Sequence, residues 1–213
     1  MKPFAKWTIE EVEETFHIEL QKNHKLLKDW IEASGILPSQ EETELAKLQE
    51  KLLDHVWDWN EEELKVYFII PLVSLVDFEH PYYKPFLDRE LSMDYKEEKI
   101  TGKVDFLIAG GKRSPKRPFF FIHEYKKEHD SSNDPLGQLM IAMIAAQQLN
   151  NDKQCIYGVY IMGRYWHFVI LDENEYEVHT GLNAADQEIK TIFYTLKNTK
   201  KRIEERIRLQ IES

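Results

Sequence analysis

Cysteine is almost absent from this 213-residue chain: Cys155 stands alone, so no intrachain disulfide framework can form, and a reducing cytosol is the expected setting. Long apolar runs are absent too. The longest nearly uncharged stretch, Val66 to Val76, is too short to span a bilayer and contains Pro71. The start, Met1-Lys2-Pro3-Phe4-Ala5-Lys6-Trp7, lacks the apolar stretch and small-residue cleavage site of a signal peptide. There is no internal repeat and no low-complexity tract. Positive charge is in deficit, with a formal net charge of −10, which argues against tight non-specific nucleic-acid binding by the chain as a whole. Local patches still count for more than the total. A soluble, cytoplasmic protein is the expectation.

What remains is a core. Hydrophobic residues make up 42% and charged residues 31%, and eleven Phe, ten Tyr and five Trp argue against disorder. Thr8 with Glu11 forms a capping-box pattern, and Ile9, Val12, Phe16, Leu20, Leu27 and Ile31 recur at helical spacing. Gly35 to Pro38 breaks that helix. Ser39 with Glu42 opens a second, carrying Leu45, Leu48, Leu52 and Val56. Residues 1–59 therefore read as a helical hairpin packed on a core formed by residues 60–213. Asn60 with Glu63 caps a third helix, whose stripe is Leu64, Phe68, Ile69 and Leu72 and which Pro71 should kink or shorten.

After about Asp77 the pattern changes. Phe86 to Tyr95 and Lys99 to Ala109 read as strands, and Gly110 to Pro118 as a loop. Phe119 to Lys126 is apolar enough for a strand buried on both faces. Asp134-Pro135 opens a helix that is apolar nearly all round to Leu149. Ile156 to Met162 and Tyr165 to Leu171 form a hairpin, Glu175 to Thr180 a short strand, and the segment from Ala184 a closing helix. The fold class is α/β: a mixed sheet with helical cover.

One constellation carries chemistry. Alternation puts Lys103, Asp105 and Leu107 on one face of their strand, and Phe120, Ile122, Glu124 and Lys126 on one face of theirs. If the two strands pair across the loop, Asp105 lies beside Glu124. Two carboxylates and an ammonium at the edge of an apolar core repel or resist desolvation unless a proton, a cation or a divalent metal relieves them. Oxygen donors of this kind suit Mg²⁺ or Mn²⁺. A lysine two residues on can orient a water or stabilise developing negative charge.

Gly102-Lys103-Val104-Asp105-Phe106, a loop, then His123-Glu124-Tyr125-Lys126, with a helix before and after, resembles the core of the PD-(D/E)XK nuclease superfamily over about residues 60–150. The resemblance implies a restriction-endonuclease-like fold and Mg²⁺-dependent hydrolysis of DNA, with RNA as the lesser alternative. It implies metal binding by Asp105 and Glu124, a water positioned by Lys126, and an added ligand from the Tyr125 carbonyl. It also implies an acid on the first core helix, for which Glu63 is favoured among Glu61, Glu62 and Glu63, and a Gln at the start of the next helix, here Gln138. Many members act as homodimers. The first motif lacks the proline of the family name.

Other readings stay open. Glu63 is equally well explained as a capping residue. His123 faces away from Glu124 and reads as a core histidine. Lys112, Arg113, Lys116 and Arg117 are either a solvated loop or phosphate contacts near the site. Lys197, Lys200, Lys201, Arg202, Arg206 and Arg208 form a second basic cluster, which reads as a solvated helix face. The alternative to a nuclease is a fold relative that no longer cuts and works as a nucleic-acid- or protein-binding module.

Overall fold

The strand that carries the apolar run Phe119–Ile122 sits in the interior of the sheet, with neighbours on both sides. A computed structural model describes residues 2–32, 34–126, 134–152 and 154–212. Its eight-stranded sheet runs β1 (Glu19–Leu20), β7 (Glu175–Val178), β6 (Tyr165–Asp172), β5 (Ile156–Met162), β4 (Lys116–Lys126), β3 (Glu98–Gly110), β2 (Lys84–Tyr95), with β8 (Leu182–Asn183) alongside β6. β4 (Lys116–Lys126) pairs antiparallel with β3 (Glu98–Gly110) and parallel with β5 (Ile156–Met162). The crossover between β4 and β5 contains α6 (Pro135–Asn150), capped by the Asp134 side chain and started by Pro135, as the sequence requires. β2 (Lys84–Tyr95) borders β3, while β6 (Tyr165–Asp172) and β7 (Glu175–Val178) extend the other side.

Helices cover both faces. α6 and α1 (Ile9–Phe16) share one apolar cluster with Leu91, Met93, Leu107 and Ile122. On the other face α2 (Lys25–Ile31), α3 (Ser39–His55) and the closing α7 (Ile189–Glu212) pack on Phe106, Phe121, Tyr125 and Phe168. The mixed sheet flanked by helices is thus observed. Among the described residues no helix is long and apolar enough to cross a membrane.

The helix expected from Ile9 to Ile31 is three elements. α1 ends at His17 and Asn23 precedes α2, both in the left-handed region with φ of 55° and 63°. Between them β1 (Glu19–Leu20) pairs parallel with β7. Leu20, counted in the helical stripe, is exposed, while Ile18 takes the buried place. His and Asn tolerate this backbone conformation better than most residues. The expected Ser39–Glu42 box is also missing: Pro38 occupies the cap position of α3 without a side-chain bond, and Glu42 pairs with Lys190.

Pro71 lies inside its helix, just after a change of helical type. α4 (Glu61–Leu64) passes through a π-helical turn, Lys65–Ile69, into α5 (Ile70–Ser74). The wider turn comes just before the residue that has no N–H to donate.

α1 and the start of α6 meet at Gly137. A Cβ there would lie 2.5 Å from the Trp7 carbonyl oxygen and 2.6 Å from the Ile9 nitrogen. Those atoms are backbone and cannot swing aside. Gly137→Ala is expected to cost at least the roughly 1–3 kcal/mol of core overpacking, read as a lower urea midpoint.

Strand alternation fails at one informative place. In β2, Phe86 and Leu91 lie in the same apolar cluster, as do Val104 and Leu107 in β3, although each pair is an odd number of residues apart. Each strand therefore changes face once. The register runs Leu87 with Phe106 and then Arg89 with Val104, leaving Asp88 and Asp105 facing each other between them. Asp88 has φ of 50°. The shared face expected for Lys103, Asp105 and Leu107 is accordingly broken at Asp105. In β4 a register shift beyond Ile108 likewise moves Phe120 into the cluster that holds Phe121.

Candidate active site

β4 leaves the core at Glu124-Tyr125-Lys126, and each of the three is held. Glu124 is 3% exposed and Lys126 7%. The Lys126 ammonium donates to Glu124 Oε1 at 2.6 Å and to the Tyr125 carbonyl at 2.8 Å. Pairing with β5 sets Glu124 opposite Tyr160, and the Gly163 amide donates to the Lys126 carbonyl at 3.0 Å. Tyr125 is fully buried, with its hydroxyl 3.1 Å from His123 Nδ1. His123 is the buried, hydrogen-bonded core histidine the sequence suggests. Burial lowers its pKa well below the usual histidine range, so it stays neutral.

Asp105 joins from β3. Its Oδ2 accepts from the Tyr125 amide at 2.9 Å, which fixes it beside the Glu124 carboxyl. Three further groups arrive: Lys65 and Asp88, which sequence reading missed, and Glu61, which it ranked behind Glu63. Lys65, only 5% exposed, donates to Asp88 Oδ1 at 2.8 Å and lies 3.9 Å from Asp105 Oδ1. Glu61 stands 3.8 Å from the Lys126 ammonium. The result is two ammoniums set among Glu61, Asp88, Asp105 and Glu124.

Both omissions had signals. Lys65, Phe68, Ile69 and Leu72 follow i, i+3, i+4, i+7 spacing, so a lysine occupies the helix's apolar stripe. Asp88 interrupts the middle of a strand, where aspartate is disfavoured.

The electrostatics follow from burial and crowding. Burial, then the neighbouring Asp105 charge, pushes the Glu124 carboxyl up to about 8, against the pull of Lys126. Burial also raises Asp105, although the Tyr125 amide and both ammoniums work the other way. Burial alone would lower Lys126 and Lys65; the surrounding carboxylates outweigh it and both are raised.

Glu63 does not join this group. It forms the capping box with Asn60, its Oε2 accepting from the Asn60 amide at 2.9 Å and its own amide donating to Asn60 Oδ1 at 3.0 Å. A cap residue points back along its own first turn, so the acid that reaches Lys126 is Glu61, two residues earlier. Glu63→Ala is expected to cost about 1 kcal/mol of stability, the usual worth of a cap. It should leave any response to divalent cations unchanged, whereas Glu61→Ala should alter that response; thermal melts with and without Mn²⁺ separate the two.

Gln138 is half-buried in the first turn of α6, and no hydrogen bond joins its side chain to Asp105, Glu124 or Lys126. The basic loop is not near the cluster. Lys116 is paired with Gly110 at the opposite end of β4, eight residues or about 26 Å from Glu124 at a strand's usual rise. Lys112, Arg113, Lys116 and Arg117 are exposed there. The basic residues of α7 are largely engaged: Lys197 with Glu41, Lys200 with the Val76 and Asp77 carbonyls, Lys201 with Glu205, and Arg206 with Asp152.

Among the described residues no group of three or more His, Cys, Asp or Glu side chains is arranged around one point that could hold a metal ion. The donors that could serve are the Asp105 and Glu124 carboxylates and the Tyr125 carbonyl. Mg²⁺ and Mn²⁺ bind through one or two carboxylates with waters completing the shell, and adjacent carboxyls with raised pKa values are what a divalent cation relieves. The donor set fits such an ion. In this arrangement the Lys126 ammonium already contacts Glu124 and the Tyr125 carbonyl, so an ion using those oxygens would displace it.

No protein-family model matches this chain, and no curated protein is significantly similar to it.

Proposed function

We propose that the chain is a metal-dependent nuclease with a restriction-endonuclease-like core, hydrolysing phosphodiester bonds of DNA before RNA. The observation that carries this reading is the convergence of Asp105, Glu124 and Lys126 at one strand end, at the edge of a buried core. A Mg²⁺ or Mn²⁺ ion held by Asp105 and Glu124 would supply Lewis-acid activation of the phosphate and a more acidic bound water. Asp105 is pinned by a backbone amide and so keeps one oxygen orientation. Lys126, freed from Glu124, holds an N–H donor beside the carboxylates, where it orients the attacking water and faces the charge that develops on the phosphate. Glu61 keeps that ammonium protonated. Lys65 plays the equivalent part for Asp105 and Asp88.

The test is calorimetric titration of Mn²⁺ into wild type and Asp105→Asn, followed by cleavage assays on a DNA duplex and on RNA. Binding and cleavage in the wild type, both lost in the variant, support the reading. A folded wild type that neither binds Mn²⁺, with or without duplex, nor cuts would overturn it.

A second reading is a fold relative that binds nucleic acid or protein without cutting. What favours it is the Lys126 ammonium itself: at 2.6 Å and 2.8 Å it already satisfies two of the three oxygens a metal would need.

A further inference from the structure

Two arginines one turn apart on α7 close a cavity that the carboxylate cluster does not use. Arg202 and Arg206 line a space of about 200 Å³ against the starts of β4 and β5. Its floor is Phe120 and Tyr157, and Ile203 and Leu209 add apolar walls. Phe120 is four residues from Glu124, about 13 Å along the strand, so the cavity is separate from the cluster.

The charges in it do not balance locally. Arg206 pairs with Asp152, and its guanidinium stacks 5.3 Å from the Phe120 ring. Arg202 has no carboxylate within ion-pair distance among the described residues. Among the described residues its one hydrogen-bond partner is the neutral Tyr157 hydroxyl, reached by one terminal nitrogen at 2.9 Å, and the guanidinium lies 5.5 Å from the centre of the same ring. The Nε of each arginine is buried without a hydrogen-bond partner. A buried donor left unpaired is costly, and each such group calls for a reason. The other nearby carboxylates are Glu205, at the cavity, and Asp172, whose charge reaches Cys155 and Tyr157, and neither forms an ion pair with Arg202. Burial pushes the Cys155 thiol and the Tyr157 hydroxyl each up to about 12, so both are neutral. Glu205, also at the cavity, lies 3.9 Å from Lys201.

We propose that this cavity binds a small organic monocarboxylate, its carboxylate on the uncompensated guanidinium of Arg202 and its apolar body along Phe120, Ile203 and Leu209. One fork with one unmatched charge suits a carboxylate, which a guanidinium takes through two parallel N–H bonds. A phosphate dianion would meet Asp152 and Glu205 with only one spare positive charge to offset it. The mostly apolar walls favour an acid with a flat or branched body over a bare anion.

The probe is benzoate, titrated calorimetrically into the full chain, with benzamide as its neutral counterpart and inorganic phosphate as the bare anion. Benzoate is expected to bind at least about tenfold more tightly than benzamide, the worth of one charge-assisted hydrogen bond, and more tightly than phosphate. In amide NMR spectra its shifts should centre on residues 154–157 and 202–206. Arg202→Met should lose the preference for benzoate over benzamide. Equal binding of the two in the wild type, phosphate as the best ligand, shifts centred elsewhere, or no benzoate binding would each overturn the proposal. If Arg202→Met does not fold, the wild-type ratio and the map of shifts decide by themselves.

Discussion

Lys126→Met is expected to reduce Mn²⁺- or Mg²⁺-dependent cleavage of a DNA duplex by about 10²- to 10⁴-fold, the usual contribution of a positioned proton-transfer or water-orienting group. Methionine keeps most of the stem's length and buries without charge, so the strand end should hold its shape. Metal affinity should respond differently from rate. The ammonium contacts Glu124 Oε1 and the Tyr125 carbonyl at 2.6 Å and 2.8 Å. Removing it clears those two oxygens and takes away a competing positive charge. Calorimetry should therefore find Mn²⁺ binding retained or tightened in Lys126→Met while cleavage collapses. Loss of binding and rate together would make Lys126 a structural partner of Glu124 only. Unchanged cleavage would remove Lys126 from the chemistry.

The second large effect is on stability against pH. Glu124 has an ordinary value of 4.5 and is pushed up to about 8 in the fold. Between those values the folded state holds more protons than the unfolded chain, so stability falls as pH rises. The contribution is fully present below about 4.5 and lost by the time pH passes 8. A shift of that size corresponds to on the order of 5 kcal/mol across the window. His123 works in the opposite sense: burial lowers its pKa, so its contribution is lost as pH falls below the usual histidine range. The difference between wild type and Glu124→Gln isolates the carboxyl. Urea denaturation without metal should find the two equal near pH 4 and Glu124→Gln more stable by several kcal/mol above pH 8. Saturating Mn²⁺ should restore the wild type and leave Glu124→Gln unmoved. Parallel curves at all pH values would mean that Glu124 is not strained in the fold.

Several features were legible because they rest on local rules. The Asp134-Pro135 start of α6, the apolar run of β4 and the hairpin around Gly163 all appear where the residues imply, while the break expected over Gly110 to Pro118 is shorter, since β3 runs through Gly110 and β4 starts at Lys116. Asp105, Glu124 and Lys126 could be named because an acid on one strand and Glu-x-Lys on its antiparallel neighbour come together once the loop between them closes. Glu63 stayed open between two readings for an instructive reason. A capping box and a site acid look alike in sequence, and the choice between them depends on which side chain turns towards the sheet.

Leu20 and Lys65 mark the same limit. Leu20 fits a helical stripe, but β7 offered a strand edge, and the left-handed residues His17 and Asn23 let the chain take it. Lys65 fits a stripe too, and is tolerated there because Asp88 and Asp105 face each other where β2 and β3 both change face. By itself the sequence determined the α/β class, the interior strand β4 and the acid–acid–lysine trio, all consequences of hydrophobic period and turn chemistry within short windows. Only the tertiary structure decided that Glu61 rather than Glu63 meets Lys126, that Lys65 and Asp88 complete the charge cluster, that the basic loop lies at the far end of β4, and that Arg202 and Arg206 close a cavity. Those outcomes depend on where distant elements cross and on a fault in strand alternation, and neither is encoded in any one stretch of residues.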